Sequence, residues 1–235
     1  MAMNSTNDIL PRQIFCCWTG DNPMSVNRLN ALISIVSHTH MPVAFLNAES
    51  YRQWELPNHR FHPGFEYLSA THKADYLRCY LMHHHGGGYT DLKLTYKAWP
   101  AIFDRLQASS AMGAGYTEVS PGGVAPVPGA MGQTLRENYQ QLIGLCAFVF
   151  KKNTQFTAEW LGQTNDLLST KFNELKDNPA RHPQDILGFT LSPDEISRYP
   201  FGWTELLGNI FHPLVFHYRD QFLHEDLAPI FRGYR

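Results

Sequence analysis

His72–Lys93 reads HKADYLRCYLMHHHGGGYTDLK, and two periodicities meet inside it. From Ala70 to about His84 the pattern is helical, with Ala74, Leu77 and Leu81 recurring on one face. Gly86-Gly87-Gly88 ends that helix, since glycine enters a left-handed backbone conformation at no steric cost. Tyr89–Tyr96 then alternates, with Tyr89, Asp91, Lys93 and Thr95 facing one way and Thr90, Leu92, Leu94 and Tyr96 the other. The spacing predicts a helix, a tight turn and a strand. Asp75 and Arg78, at i and i+3, share a helix face. Alone they read as a surface ion pair. Followed by three glycines and Asp91, they read as part of a ligand site whose turn lets a ligand approach the backbone.

Outward from this stretch the elements alternate. Ile14–Trp18 is a short buried strand stopped by Thr19-Gly20-Asp21-Asn22-Pro23. Ser25–Ser37 places Val26, Leu29, Leu32, Ile33 and Val36 at helical spacing, and Pro42–Leu46 is the next strand. Strand, helix, strand in that order predicts a parallel βαβ unit and an α/β sheet. Downstream, the pattern predicts a short helix over Ala101–Gln107 and strands at Ala111–Tyr116 and Leu145–Phe150. Ser120–Gly132 is Gly- and Pro-rich and reads as an irregular loop, either an ordinary surface loop or one beside a site, whose part from Pro121 could cover a bound ligand. Thr154–Lys176 reads as one long amphipathic helix, and the last fifty residues as short elements punctuated by Pro193, Pro200 and Pro213. No repeat or linker divides residues 1–235, so a single domain is expected.

Composition excludes several classes. Apolar residues are 43% and charged residues 17%, which separates the chain from disordered sequences. A formal charge of −2 without a basic tract leaves no electrostatic footing for nucleic acid. Cys16, Cys17, Cys79 and Cys146 include no CxxC spacing, and they read as buried free thiols in a reducing compartment. The first thirteen residues lack the basic flank and apolar core of a secretory signal, and no apolar run is long enough to span a bilayer. A soluble, cytoplasmic protein is expected.

Two blocks, Leu10–Gly20 (LPRQIFCCWTG) and Lys73–Lys93, resemble the opening strand and the acid–arginine–DXD core of GT-A glycosyltransferases that use nucleotide sugars. Relatives of this kind include mannosyltransferases, the glucosylating clostridial toxins and capsular polysaccharide synthesis enzymes. The blocks cover about 35 residues. The resemblance implies an α/β, Rossmann-like open mixed sheet flanked by helices. It also implies transfer of a sugar from a UDP- or GDP-sugar donor to a carbohydrate or lipid-linked glycan acceptor. Anomeric retention, a place in surface polysaccharide (capsule or lipopolysaccharide) synthesis and peripheral membrane association are implied in the same way. Trp18 would stack on the base, and Thr19 and Gly20 would line the nucleotide pocket. Asp75 and Arg78 would contact sugar hydroxyls beside the Gly87-Gly88 turn, and Asp91 the ribose and donor sugar. The segment Tyr199–Asp220, similar to the tail of the capsular enzymes, would bring Asn209 or His212 toward the diphosphate.

The departure is Lys93. The family's second acid, which helps hold a divalent metal, is here a lysine, so the motif reads D-L-K. Manganese or magnesium is therefore doubtful, with Asp91 the ligand if either binds. On a strand, Lys93 would share the face of Asp91 about 7 Å along. Its ammonium could then meet a diphosphate as a point charge in place of the metal, which makes Asp91 and Lys93 the catalytic pair. Two other readings stay open: a catalytically silent carbohydrate- or nucleotide-binding relative, and a metal hydrolase using histidines. His83-His84-His85 weighs little for the latter, since consecutive helical residues fan out around the axis.

Overall fold

The computed structural model describes residues 9–233. Most of the absent-leader expectation falls on residues 1–8, outside the described residues. The chain forms β1 (Ile14–Trp18), α1 (Val26–His38), β2 (Val43–Asn47), α2 (Ala70–His84) and β3 (Gly87–Thr90). It continues through α3 (Pro100–Ala108), β4 (Gly113–Thr117), α4 (Gly129–Glu137), β5 (Ile143–Phe150), α5 (Gln155–Thr170) and α6 (Phe172–Asp177). The hairpin β6 (Thr190–Ser192) and β7 (Glu195–Ile196), then α7 (Gly208–His217) and β8 (Phe222–His224), complete it. Among the described residues no helix is long and apolar enough to cross a membrane.

Six strands make one mixed sheet in the order β2-β1-β3-β5-β4-β8. β1 is parallel to both β2 and β3, while β5 runs antiparallel to β3 and β4, and β8 is parallel to β4. Alternate residues of each strand feed opposite faces. Phe15, Tyr89, Phe148 and Phe150 pack under α2, α5 and α7, where Phe156, Trp160 and Phe211 add further rings. Ile14, Ala147 and Val149 pack on α3 through Trp99, Ile102 and Phe103, and Cys16 meets Ile35 of α1. The chain is 13% aromatic, and many of these rings pack in the core.

Local chemistry sets the helix starts. Ser25, Ser69 and Thr154 cap α1, α2 and α5, each side-chain oxygen accepting a backbone N–H from three residues on. α2 ends as the sequence predicts: His85 caps it, and Gly86 and Gly87 follow at φ +69° and +94°. A Cβ at Gly87 would lie 2.8 Å from the Gln13 carbonyl oxygen, so β3 can approach β1 here only with glycine.

Three boundaries differ from the pattern. β3 stops at Thr90, so the alternation through Tyr96 is not strand. Ser120–Gly132 is not wholly irregular, because α4 begins at Gly129. The long helix over Thr154–Lys176 breaks at Lys171, whose ammonium is anchored on the Pro200 carbonyl and Glu205. The apolar rhythm runs on across this break because Leu175 is buried again beyond it. Pro213 lies inside α7 without ending it.

Candidate functional site

The connection through α1 carries the chain from β1 to β2 on one side, and β3 then pairs with β1 on the other. Open α/β sheets bind ligands at such a reversal, outside the carboxyl ends of the two diverging strands. Trp18 closes β1 at that end, and Asp91 follows the last residue of β3. β5 runs the opposite way, so the residues of its first half lie there too. The Asp91 N–H donates to the Cys146 carbonyl at 2.8 Å.

Asp75 and Arg78 reach the same place from α2. Nη2 of Arg78 lies 3.3 Å from Oδ1 of Asp75 and 2.9 Å from Oδ1 of Asp91. Its Nη1 donates to the Leu145 carbonyl at 3.1 Å, and the guanidinium sits 4.7 Å from the Tyr89 ring centre. Lys93 closes the cluster. Its Nζ lies 2.7 Å from Oδ2 of Asp91 and 2.9 Å from Sγ of Cys146. No strand places it there. The Lys93 N–H donates to the Asp91 carbonyl at 2.7 Å, a tight three-residue turn that folds the lysine back onto the acid.

Asp75 is 3% exposed and Arg78 and Lys93 each 8%, so these charges interact where water screens them little. Burial disfavours the Asp91 carboxylate, but Arg78 and Lys93 outweigh it and hold the acid well below its usual range. Asp75 goes the other way: burial dominates, Arg78 offsets it only in part, Asp91 repels, and the group is pushed up to about 7. Burial works against the charges of Lys93 and Arg78, yet Asp91 keeps both firmly protonated. Cys146 is pushed up to about 11, mainly by burial, so it faces Lys93 as a thiol. Counting Arg78, Lys93, Asp91 and Asp75, the cluster is neutral when Asp75 is ionised and carries one positive charge when it is not.

The other sequence-derived residues divide. Thr19 donates to the Ala70 carbonyl, tying the end of β1 to the start of α2. Half-buried Trp18 donates its indole N–H to the Asn22 carbonyl and packs beside Cys16, Ile35 and Leu92. Gly20 is half-exposed, against Ala70. These three lie at or just beyond the carboxyl end of β1, the end of the sheet at which the cluster forms. Gly87 and Gly88 begin β3, at its opposite end, where a Cβ would meet the backbone leading into β1 or the Trp99 ring, so their role is packing. Asn209, in the first turn of α7, accepts a hydrogen bond from Thr204 just ahead of that helix. His212 is fully buried and lowered to about 4 by burial; its Nδ1 accepts the Ala125 N–H, and its Nε2 lies 3.7 Å from Glu118. Among the described residues, no hydrogen bond or ion pair joins either side chain to the four-residue cluster.

Sequence reading missed Tyr89, Cys146 and Glu118 as neighbours of the cluster. Glu118 follows β4 at the same end of the sheet, buried and raised by burial, with Lys93 among the influences that lower it. A signal existed in its position directly after a strand. The tail that returns is also later than Tyr199–Asp220: Ile230 donates to the Leu94 carbonyl, and the Phe231 ring lies 5.7 Å from Nζ of Lys93.

Both carboxylate oxygens of Asp91 are held by cations, so the residues here do not fit a divalent metal without displacing Lys93. His83 bonds Thr157 and His85 bonds the Trp54 carbonyl, so the histidine triplet diverges. Among the described residues no group of three or more His, Cys, Asp or Glu is arranged to hold a metal ion. No family model, curated protein or solved structure matches the chain.

Proposed function

We propose that this protein is a glycosyltransferase that moves a sugar from a nucleotide-sugar donor to a carbohydrate acceptor, without a metal. One observation carries the reading: Asp75, Arg78, Asp91 and Lys93 converge at the carboxyl ends of β1 and β3, with Lys93 where a metal-binding acid would be expected. A diphosphate entering there meets a cluster that is neutral or carries one positive charge. As the bond between sugar and diphosphate breaks, the leaving group gains charge, and a fixed ammonium stabilises it as a metal would. An anion beside Asp75 favours its protonated form further, which raises the positive balance facing the donor. Assembly of a surface polysaccharide is the setting that fits the resemblance.

A second reading rests on a different observation. The Lys93 ammonium is engaged by Asp91 and Cys146, and the charged side chains are almost wholly covered. A protein that binds a nucleotide sugar without turning it over would also tolerate that arrangement. Thermal shift with UDP, GDP, CMP and dTDP and their sugars identifies the base through the stability that binding adds. Nucleotide release is then measured in excess EDTA. Release in EDTA supports the transferase; binding without release supports the binder; release lost in EDTA and restored by manganese refutes the metal-free reading.

A further inference from the structure

The helix α1 has two apolar faces. Ala31, Ser34 and Ile35 turn inward to the sheet. On the far side, Val26, Leu29, Ile33 and Val36 are 72, 46, 55 and 56% exposed. The sequence spacing that predicted this helix therefore describes mostly its outward face. Tyr96, 62% exposed, extends the patch at the C-terminal end, where its ring lies 4.9 Å from that of His38.

We infer that this face is the contact between two copies of the chain. The steps along it are three, four and three residues, the spacing of a knobs-into-holes seam. Such a seam complements itself under a two-fold axis. An antiparallel pairing centred on Ala31 sets Leu29 against Ile33 of the second copy and Val26 against its Val36. Charge agrees with this occupant. α1 contains no acid and no lysine, and its one arginine, Arg28, donates to the Leu92 carbonyl at 2.7 Å. Two copies therefore meet without like-charge repulsion. A lipid surface fits less well, because a membrane-lying helix normally carries several lysines or arginines along its polar face. Area allows it. The five residues expose roughly 500 Å², within the range of the largest apolar patch on an ordinary monomer, where such patches are often functional. Seam on seam, these residues cover at most about 1,000 Å², so flanking Asn30 and Ser37 must join the contact to reach the roughly 1,200 Å² of a specific pair.

The contact touches the candidate site at one remove. Arg28 holds the carbonyl between Asp91 and Lys93, and Ser34 accepts the Thr95 N–H. Stiffening α1 in a dimer therefore steadies the turn that delivers Lys93.

Sedimentation equilibrium of the full chain over a hundredfold concentration range tests the inference. The expected result is a reversible monomer–dimer equilibrium. Ile33→Glu should weaken association at least tenfold while leaving the far-ultraviolet circular dichroism unchanged, since the side chain is exposed in the monomer. Leu29→Glu should behave alike, which guards against a misfolded single variant. A chain that stays monomeric throughout overturns the inference, as does a dimer that survives both substitutions. Sedimentation of the monomer with phosphatidylglycerol vesicles, lost in both variants, would assign the face to a lipid surface instead.

Discussion

At the scale of single residues, the two aspartates of the cluster differ in kind. Asp91 is shared by two buried cations, so Asp91→Asn removes the carboxylate that both need. We expect it to lose roughly 3–5 kcal/mol in urea unfolding. Asp75 is raised to about 7 from an ordinary value of 3.8. Between those values the folded state keeps a proton that the unfolded chain has released, so Asp75 takes stability away as pH rises through the window. Asparagine resembles the protonated form. Asp75→Asn should therefore gain on the wild type from pH 4 to 7, by roughly 1–4 kcal/mol, read from paired urea titrations. An unchanged difference across that range would show that Asp75 is not raised.

At the scale of elements, two glycines bracket what backbone geometry allows. Gly87 combines a φ of +94° with a Cβ position 2.8 Å from a neighbouring carbonyl oxygen. Gly87→Ala should cost about 2–3 kcal/mol by pulling β3 from β1 and moving Asp91 with it. Gly162, within α5, has nothing within 4 Å of its would-be Cβ. Gly162→Ala should stabilise the protein by about 0.5–1 kcal/mol, because alanine gives up less backbone freedom in a helix. Equilibrium unfolding checks both. These elements were largely legible. The limits of α2 follow from its period and the glycines beyond it, and β1 from a run closed by a turn signal. β3 was overextended because Asp91, Lys93 and Thr95 alternate with apolar residues in a segment that is tied instead to Cys146, α1 and the tail.

For the whole molecule, acid stability is governed by buried imidazoles. His72 and His212 are lowered to about 4 by burial. The unfolded chain takes up their protons as pH falls through 6.5, the folded chain only near 4, so stability drops across that interval. His62, His83, His84, His85 and His224, also lowered by burial, act in the same sense, while Asp75 and Glu118 oppose them. The melting temperature should fall from pH 6.5 to 4, and more steeply in Asp75→Asn, where one opposing proton is gone. A flat profile in scanning calorimetry would contradict this balance. The opposing groups come from β4, α2 and α7, far apart in the chain, and only packing places them in one low-dielectric interior.

Legible in the residues alone were the main helices, the glycine turn after α2, the opening βαβ unit, and the placement of Asp75 and Arg78 on one helix face. Those follow from short-range periodicity and backbone sterics, which neighbouring residues carry. The tertiary structure decided that Lys93 folds back onto Asp91 and a Cys146 thiol and that Gly87 and Gly88 serve the sheet. It also decided that Asn209 and His212 face other partners and that α1 turns its apolar stripe outward. Each of those depends on which distant surface a side chain meets, and periodicity along one segment does not encode that.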